Sequence, residues 1–260
     1  MTEEPALAKD DPSPQLSVVV PAYNEERRIG QSLRRMIGYF ASQPYRTEIL
    51  VVDDGSTDGT AERVREIAAG RSDLTLLSYA GNRGKGYAVR FGMLRASGDF
   101  VLFSDADLAT PIEEVEKLMA AVRAGADIAI GSRDVPGALL ERRQSAIREM
   151  GGKLFNRFVQ VLAVPGIHDT QCGFKLFTRA AAQNIFSRCR IDNFSFDVEA
   201  LFLGRRLGYV IAEVPIRWAH QEGSKVRFVR DALRMVKTLF RIRATDYELR
   251  KADAKRSIVP

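Results

Sequence analysis

The chain has 260 residues, 45% hydrophobic and 28% charged, with a formal net charge of +6. That length and balance suit one sizeable soluble domain, or a domain plus an appendage, with its own core, and argue against disorder outside the ends. Its two cysteines, Cys172 and Cys189, are too few for a disulfide framework and lack metal-ligand spacing, so they read as buried or half-buried thiols in a reducing compartment.

Met1 to Pro14 is acidic and proline-bearing, lacks the basic start and apolar run of a signal peptide, and is expected to be a disordered lead-in. Leu16–Val20 is a continuous apolar run ended by Pro21, as in a strand buried on both faces. Glu25–Phe40 carries Ile29, Leu33, Met36, Ile37 and Phe40 at helical spacing. Glu48–Val52 reads as a second buried strand, stopped by Asp53-Asp54-Gly55. A helix is expected over Thr57–Ala69, with Thr57 or Asp58 as N-cap, then a strand over Leu74–Ser78. Gly84–Ala96 follows as a helix and Asp99–Phe103 as a fourth strand. The helix from Pro111 to Ala124 opens on proline, with Glu113 and Glu114 near the positive end of its dipole. Asp127–Gly131 is the fifth strand. Beyond it the spacing predicts helices over Ile147–Ala163, Phe196–Leu207 and Val226 to about Arg243, and strands over Lys175–Phe177 and Tyr209–Val214. Alternating strands and helices predict an α/β chain whose mostly parallel central sheet is flanked by helices. Ligands then sit beyond the carboxyl ends of the strands. The domain reading is a lead-in over 1–14, one domain over 15–225, and a basic amphipathic helix and tail over 226–260.

The polar clusters fall at those strand ends. Ser104-Asp105-Ala106-Asp107-Leu108 follows the apolar run Phe100–Phe103. A turn breaks the alternation of a strand, so aspartates one residue apart can face a single cation. Hard oxygen ligands suit Mg²⁺ or Mn²⁺, which also take phosphate oxygens. Alone, the triplet also fits a surface turn. Val20–Glu25 offers the Tyr23 ring and the hydrogen-bonding groups of Asn24 and Glu25, and equally fits an ordinary strand-to-helix turn. Asp53 or Asp54 can accept from a base N–H or a ribose hydroxyl. Asn82-Arg83-Gly84-Lys85-Gly86 admits close backbone approach and aims Lys85 at a phosphate. It lacks the full P-loop pattern. No Gly-x-Gly-x-x-Gly follows the first strand, which argues against a dinucleotide-binding fold of the usual kind.

In this order and spacing the motifs resemble the family-2, inverting glycosyltransferases of the GT-A fold, from about Leu16 to Arg243. The second half narrows the resemblance. Gly131-Ser132-Arg133, Arg148, the run from Asp169 to Phe177, Phe196-Asp197-Val198-Glu199, Trp218 and Glu222-Gly223-Ser224-Lys225 are similar to the dolichyl-phosphate β-glucosyltransferase branch. The resemblance implies transfer of a hexose, with inversion, from UDP-glucose to a polyprenyl phosphate, dolichyl or undecaprenyl. It implies a donor site built from Pro21, Tyr23, Glu25, Asp53 or Asp54, Lys85, Asp105 and Ala106, with Mg²⁺ or Mn²⁺ on Asp105 and Asp107. Arg133 and Arg148 match cations that place the acceptor phosphate, and Arg142 and Arg143 share their loop. For each arginine a plain salt bridge is the alternative. Asp197 falls where hydroxyl-acceptor relatives place a base; a base, an orienting group and an N-cap aspartate all remain open. The mannosyltransferase relatives carry Gln two residues past the second aspartate, where this chain has Ala109. That leaves room for water at the metal. His168 reads first as an unligated histidine and second as a third metal ligand.

Lys and Arg concentrate over residues 225–256, which points to an anionic partner. No window approaches the ~18 apolar residues of a spanning helix. Residues 226–243 fit either a helix lying in the headgroups of an anionic membrane or one that completes the core. Few aromatics accompany the basic run, so no nucleic acid is expected. The expected place is cytoplasmic, peripheral at the membrane face under the first reading. Two alternatives stay open: a transferase with a saccharide or small hydroxyl acceptor, and a non-catalytic nucleotide-sugar or nucleic-acid-binding module.

Overall fold

The computed structural model describes residues 13–142, 159–160, 163–220 and 237–247. The chain enters its core at β1 (Leu16–Ala22), where Leu16, Val18, Val19 and Val20 have no exposed surface. Then come α1 (Glu26–Ala41), β2 (Thr47–Asp53), α2 (Thr60–Ala68), β3 (Leu74–Ser78), α3 (Lys85–Met93) and β4 (Phe100–Ser104). A 3₁₀ turn at Ile112–Glu114 leads into α4 (Val115–Arg123), followed by β5 (Ile128–Ser132) and β6 (Leu139–Arg142). The remainder comprises β7 (Phe174–Thr178), α5 (Arg179–Phe186), α6 (Phe196–Arg206), β8 (Ile211–Pro215) and β9 (Arg217–Ala219). Residues 237–244 form α7.

Seven strands make one sheet in the order β3-β2-β1-β4-β7-β5-β8. Its pairs are parallel except at β7, which runs antiparallel to both β4 and β5. The expected mostly parallel sheet with flanking helices is therefore present. Strand alternation divides the core. Val19, Val52 and Phe103 face one layer with α3, α5 and α6, whereas Val18, Val20 and Leu102 face the other with α1 and α4. Both cysteines are free and buried.

Several boundaries shift for local reasons. α2 begins at Thr60, not Thr57, with Gly59 as its N-cap. Thr57 N instead donates to Asn24 Oδ1 (2.8 Å), and the Asp58 carboxylate accepts from Thr60 N (3.0 Å) and Glu26 N (3.3 Å). Residues 57–58 thus tie the turn after β2 to the turn after β1. The parallel ribbon of β6 and β9 was not expected, and α5 was not either. Thr178 caps α5 by accepting from Ala181 N (3.3 Å).

Leu239 and Ile242 of α7 are fully buried in the layer that holds α6, and Tyr247 Oη donates to Glu199 Oε1 (2.8 Å). Across 237–247 the core-completing reading is the one observed. Phe240 points outward, 58% exposed. The rest of the expected helix, residues 226–236, lies outside the described residues. So does most of Ile147–Ala163; residues 159–160 are helical. No helix among the described residues is long and apolar enough to cross a membrane.

Glu114, 2% exposed, joins the β6–β9 ribbon to α4. Its carboxylate accepts from Lys117 Nζ (2.6 Å), Arg217 Nε (2.6 Å) and Arg217 N (3.2 Å). Burial pushes its carboxyl up, but Lys117 and Arg217 outweigh that and hold it below the usual range. A depressed carboxyl stabilises the fold fully above its unfolded value of about 4.3, and this is lost as pH falls through the lower folded value. Glu114→Ala is expected to cost about 1–3 kcal/mol in urea unfolding at neutral pH. The gap between variant and wild type should narrow below about pH 4. A gap independent of pH would contradict this role.

Candidate active site

The site is built where β4 ends. Asp105 follows the last residue of that strand, and its backbone N–H donates to Gly173 O (3.0 Å). A Cβ on Gly173 would lie 2.0 Å from Asp105 Oδ2 and 2.3 Å from its Cγ. Only glycine permits this approach. The run 169–177 therefore meets the first aspartate of the Asp-x-Asp pair at Gly173. Asp107 lies in the turn just beyond, where Leu108 takes φ 49°, and its Oδ1 accepts from Ala109 N (3.1 Å).

Each of the two carboxylates faces a cation. Lys85 Nζ is 2.7 Å from Asp105 Oδ1. Arg28 Nη1 is 4.0 Å from Asp107 Oδ2, while the same guanidinium is bonded to Glu25 (Nη2 to Oε1, 3.0 Å). Arg28 was missed in the sequence because it sits on the polar face of a periodic helix; its only signal is its place three residues after Glu25. Burial pulls the Lys85 ammonium down, but Asp105, Asp197 and Asp107 outweigh it and hold it above its ordinary value. Burial first, then the neighbouring Asp105 charge, push the Asp107 carboxyl up. The bond to Glu25 raises Arg28.

Lys85 is positioned by its two flanking glycines. Gly84 takes φ 103°, and Cβ atoms on Gly84 and Gly86 would meet Asp192 O at 2.3 Å and Ile191 O at 2.4 Å. The start of α3 is thus pressed against the segment that leads into α6. Asp54 fixes the loop before it. Its carboxylate accepts from Tyr79 Oη (2.9 Å), Asn82 Nδ2 (2.9 Å), Arg83 N (2.7 Å) and Gly84 N (2.9 Å). Asp53 accepts from Ser56 N (3.1 Å). The sequence left the two aspartates inseparable; their hydrogen bonds separate them, Asp54 being committed to the loop. Pro21 pairs with Val52 in the β1–β2 register, Tyr23 is half-buried just beyond β1, and Ala106 is buried in the aspartate turn.

The second half supplies the opposite wall. Arg133 gives Nε (2.6 Å), Nη2 (2.8 Å) and its backbone N–H (3.0 Å) to Asp169, which has no exposed surface. Burial pushes the Asp169 carboxyl up, but Arg133 outweighs it and holds it low. This is a bidentate salt bridge to a fully buried carboxylate. The Arg133 guanidinium also lies 5.3 Å from the centre of the Trp218 ring. Ser104, Asp105, Leu108, Ala109, Thr110, Gly173 and Trp218 line one cavity, and Ala219 N donates to Ala109 O (2.8 Å). Asp197 is not an N-cap, since Ser195 holds that position in α6. Its Oδ1 accepts from Lys175 Nζ (2.6 Å), and both side chains are buried. His168 Nδ1 lies 2.8 Å from Glu213 Oε2. Arg143, Arg148 and Glu222-Gly223-Ser224-Lys225 lie outside the described residues, as does the side chain of Arg142.

Among the described residues no group of three His, Cys, Asp or Glu is gathered as for a metal. Asp105 and Asp107 offer two hard carboxylates with side chains 32% and 26% exposed. That set fits a divalent cation that draws its other ligands from phosphate and water.

A family model for Glycosyl transferase family 2 matches residues 17–186. The chain is 39% identical over 251 residues to a dolichyl-phosphate beta-glucosyltransferase of Drosophila melanogaster, covering 90% of this chain and 76% of that protein. It is likewise 39% identical over 254 residues to the Saccharomyces cerevisiae protein of that name, with the same coverage of each. Its fold is shared by glucosyl-3-phosphoglycerate synthase from Mycobacterium tuberculosis, solved in complex with Mn²⁺, UDP-glucose and phosphoglyceric acid. The TM-score is 0.65 at 22% identity, covering 90% of this chain and 81% of that one. The chain belongs to glycosyl transferase family 2, has the GT-A fold, and is a glycosyltransferase.

Proposed function

We propose that this glycosyltransferase moves glucose from UDP-glucose to a polyprenyl phosphate, with Mg²⁺ or Mn²⁺ held by Asp105 and Asp107. The observation that carries the reading is the seating of Gly173 on the Asp105 carboxylate. The run that resembles the dolichyl-phosphate branch is thereby part of the same site as the Asp-x-Asp pair. The names of the relatives support the acceptor, and the bound Mn²⁺ and UDP-glucose of the structural neighbour support the donor.

Direct displacement with inversion needs a nucleophile, a stabilised leaving group and fixed geometry. The acceptor phosphate is already anionic at neutral pH, so the protein has no proton to remove from it. Departure of the nucleotide builds negative charge on the diphosphate, and a divalent cation supplies charge to offset it. Lys85 and Arg28 stand beside the same carboxylates as cations for the phosphates. Asp53 is the acceptor for a base N–H or ribose hydroxyl, since Asp54 is committed to its own loop. Tyr23 and Pro21 flank that position. The Arg133–Asp169 pair holds a guanidinium beside Trp218, which lines the cavity, and Arg148 completes the acceptor-phosphate pair by resemblance. A hydroxyl acceptor would need a base, and the carboxylate in the matching position, Asp197, is buried against Lys175. That disfavours the saccharide reading.

A panel of UDP- and GDP-sugars against short-chain polyprenyl phosphates and free saccharides, with Mg²⁺ or Mn²⁺, tests the assignment. Glucose transfer from UDP-glucose to the prenyl phosphate is expected, and transfer only to free saccharides would overturn it. Asp105→Ala and Asp107→Ala should each lower transfer by about 10²-fold or more while the protein stays folded; full activity in either removes the metal assignment. Gly173→Ala should fold, because the clash is with the end of a side chain. By displacing Asp105 it should lower kcat/KM by about 10²-fold. Wild-type kinetics in Gly173→Ala would show that the contact does not position the carboxylate.

A further inference from the structure

Lys175 is the least expected side chain in the sheet. It lies on β7 between Phe103 of β4 and Ile130 of β5, and it is 1% exposed. A buried ammonium is costly unless it is paired and fully hydrogen-bonded. Lys175 Nζ donates to Asp197 Oδ1 (2.6 Å) and to Cys172 O, the carbonyl just before the glycine that seats Asp105. Two ammonium groups lie near the Phe103 ring, Lys85 Nζ 5.3 Å and Lys175 Nζ 5.9 Å from its centre. Phe196, the neighbour of Asp197, packs edge-on against the same ring at 5.4 Å, and a Cβ on Gly86 at the start of α3 would lie 2.7 Å from the Cβ of Phe196. Two ion pairs, Lys85–Asp105 at 2.7 Å and Lys175–Asp197 at 2.6 Å, thus bring their ammonium groups to the same phenyl ring. Burial pushes the Asp197 carboxyl up, with Lys175 and then Lys85 opposing that rise.

We infer that Lys175 is a positioning residue of the donor site. It fixes Asp197 as a buried anion, and Asp197 in turn keeps the Lys85 ammonium at the aspartate pair, where the nucleotide diphosphate binds. Asp197 then acts as an electrostatic anchor and not as a base. This rests on the donor-site reading above and adds a residue to it that touches no substrate.

The test is calorimetric binding of UDP with Mn²⁺ to the full chain, together with donor and acceptor KM values. Lys175→Met alone leaves Asp197 buried and unpaired and is expected to be badly destabilised. Lys175→Met/Asp197→Leu replaces the pair with apolar groups and should melt cooperatively. In that double variant UDP affinity should fall about ten-fold or more, the size of one lost charge-assisted hydrogen bond. Donor KM should rise while acceptor KM holds. In a Lys85→Met background the same double change should cause little further loss, because both act through one ammonium. A folded double variant that binds UDP as wild type does, or losses that add fully in the Lys85→Met background, would overturn the inference. If wild type itself does not bind UDP with Mn²⁺, the donor-site reading fails and this inference fails with it.

Discussion

The site depends on one antiparallel strand. β7 inserts between β4 and β5 and runs against both, which pairs Phe174 with Ser104. Because β7 runs backwards, the chain leading into it arrives at the carboxyl end of β4, the end where ligands collect in such sheets. That direction brings Gly173 onto Asp105 and Cys172 O within reach of Lys175. A parallel strand in that slot would deliver residues 169–173 to the opposite edge of the sheet. The run from Asp169 to Phe177 is thus a structural consequence of the topology as well as a mark of the family.

Charge balance is the second constraint. Beneath the site the protein buries Asp169, Lys175, Asp197 and Glu199. Each has a partner: Asp169 the Arg133 fork, Lys175 and Asp197 each other, and Glu199 the backbone N–H groups of Arg190 and Ile191 with the Tyr247 hydroxyl. Such pairs contribute little net stability compared with apolar packing, because desolvation offsets attraction. Their arrangement is better explained by what it orders. Glu199 shapes the segment against which Gly84 and Gly86 press, and so sets Lys85. Arg133 fastens the end of β5 to the run before β7.

The buried strands were legible in the sequence because continuous apolar runs bounded by Pro, Asp or Gly have few other readings; β1, β2, β4 and β5 begin and end within about two residues of expectation. The strand-end placement of Asp105 and Asp107 followed from them. The ribbon of β6 and β9 was not legible, since strands of four and three residues carry no period. Asp53 and Asp54 differ only in which one the loop at 82–84 takes, a long-range fact that spacing does not encode. Arg28 and Lys175 were hidden for related reasons. One sits on an ordinary polar helix face, and the other is a charged residue in an apolar strand whose partner lies 22 positions away. The C-terminal segment shows a similar limit: an apolar stripe among basic residues describes a core helix and a membrane helix equally, and only the burial of Leu239 and Ile242 distinguishes them over 237–247.

The central claim is that Asp105 and Asp107 hold a divalent cation beside the diphosphate of a sugar nucleotide, with Lys85 as the neighbouring cation. A crystal structure with Mn²⁺ and UDP, phased to show anomalous scattering from the metal, tests it most directly. The account predicts one Mn²⁺ peak at the Asp105 and Asp107 carboxylates, with the diphosphate between the metal and Lys85 Nζ. A metal peak away from that pair, or a nucleotide bound with its phosphates out of reach of Lys85, would contradict it.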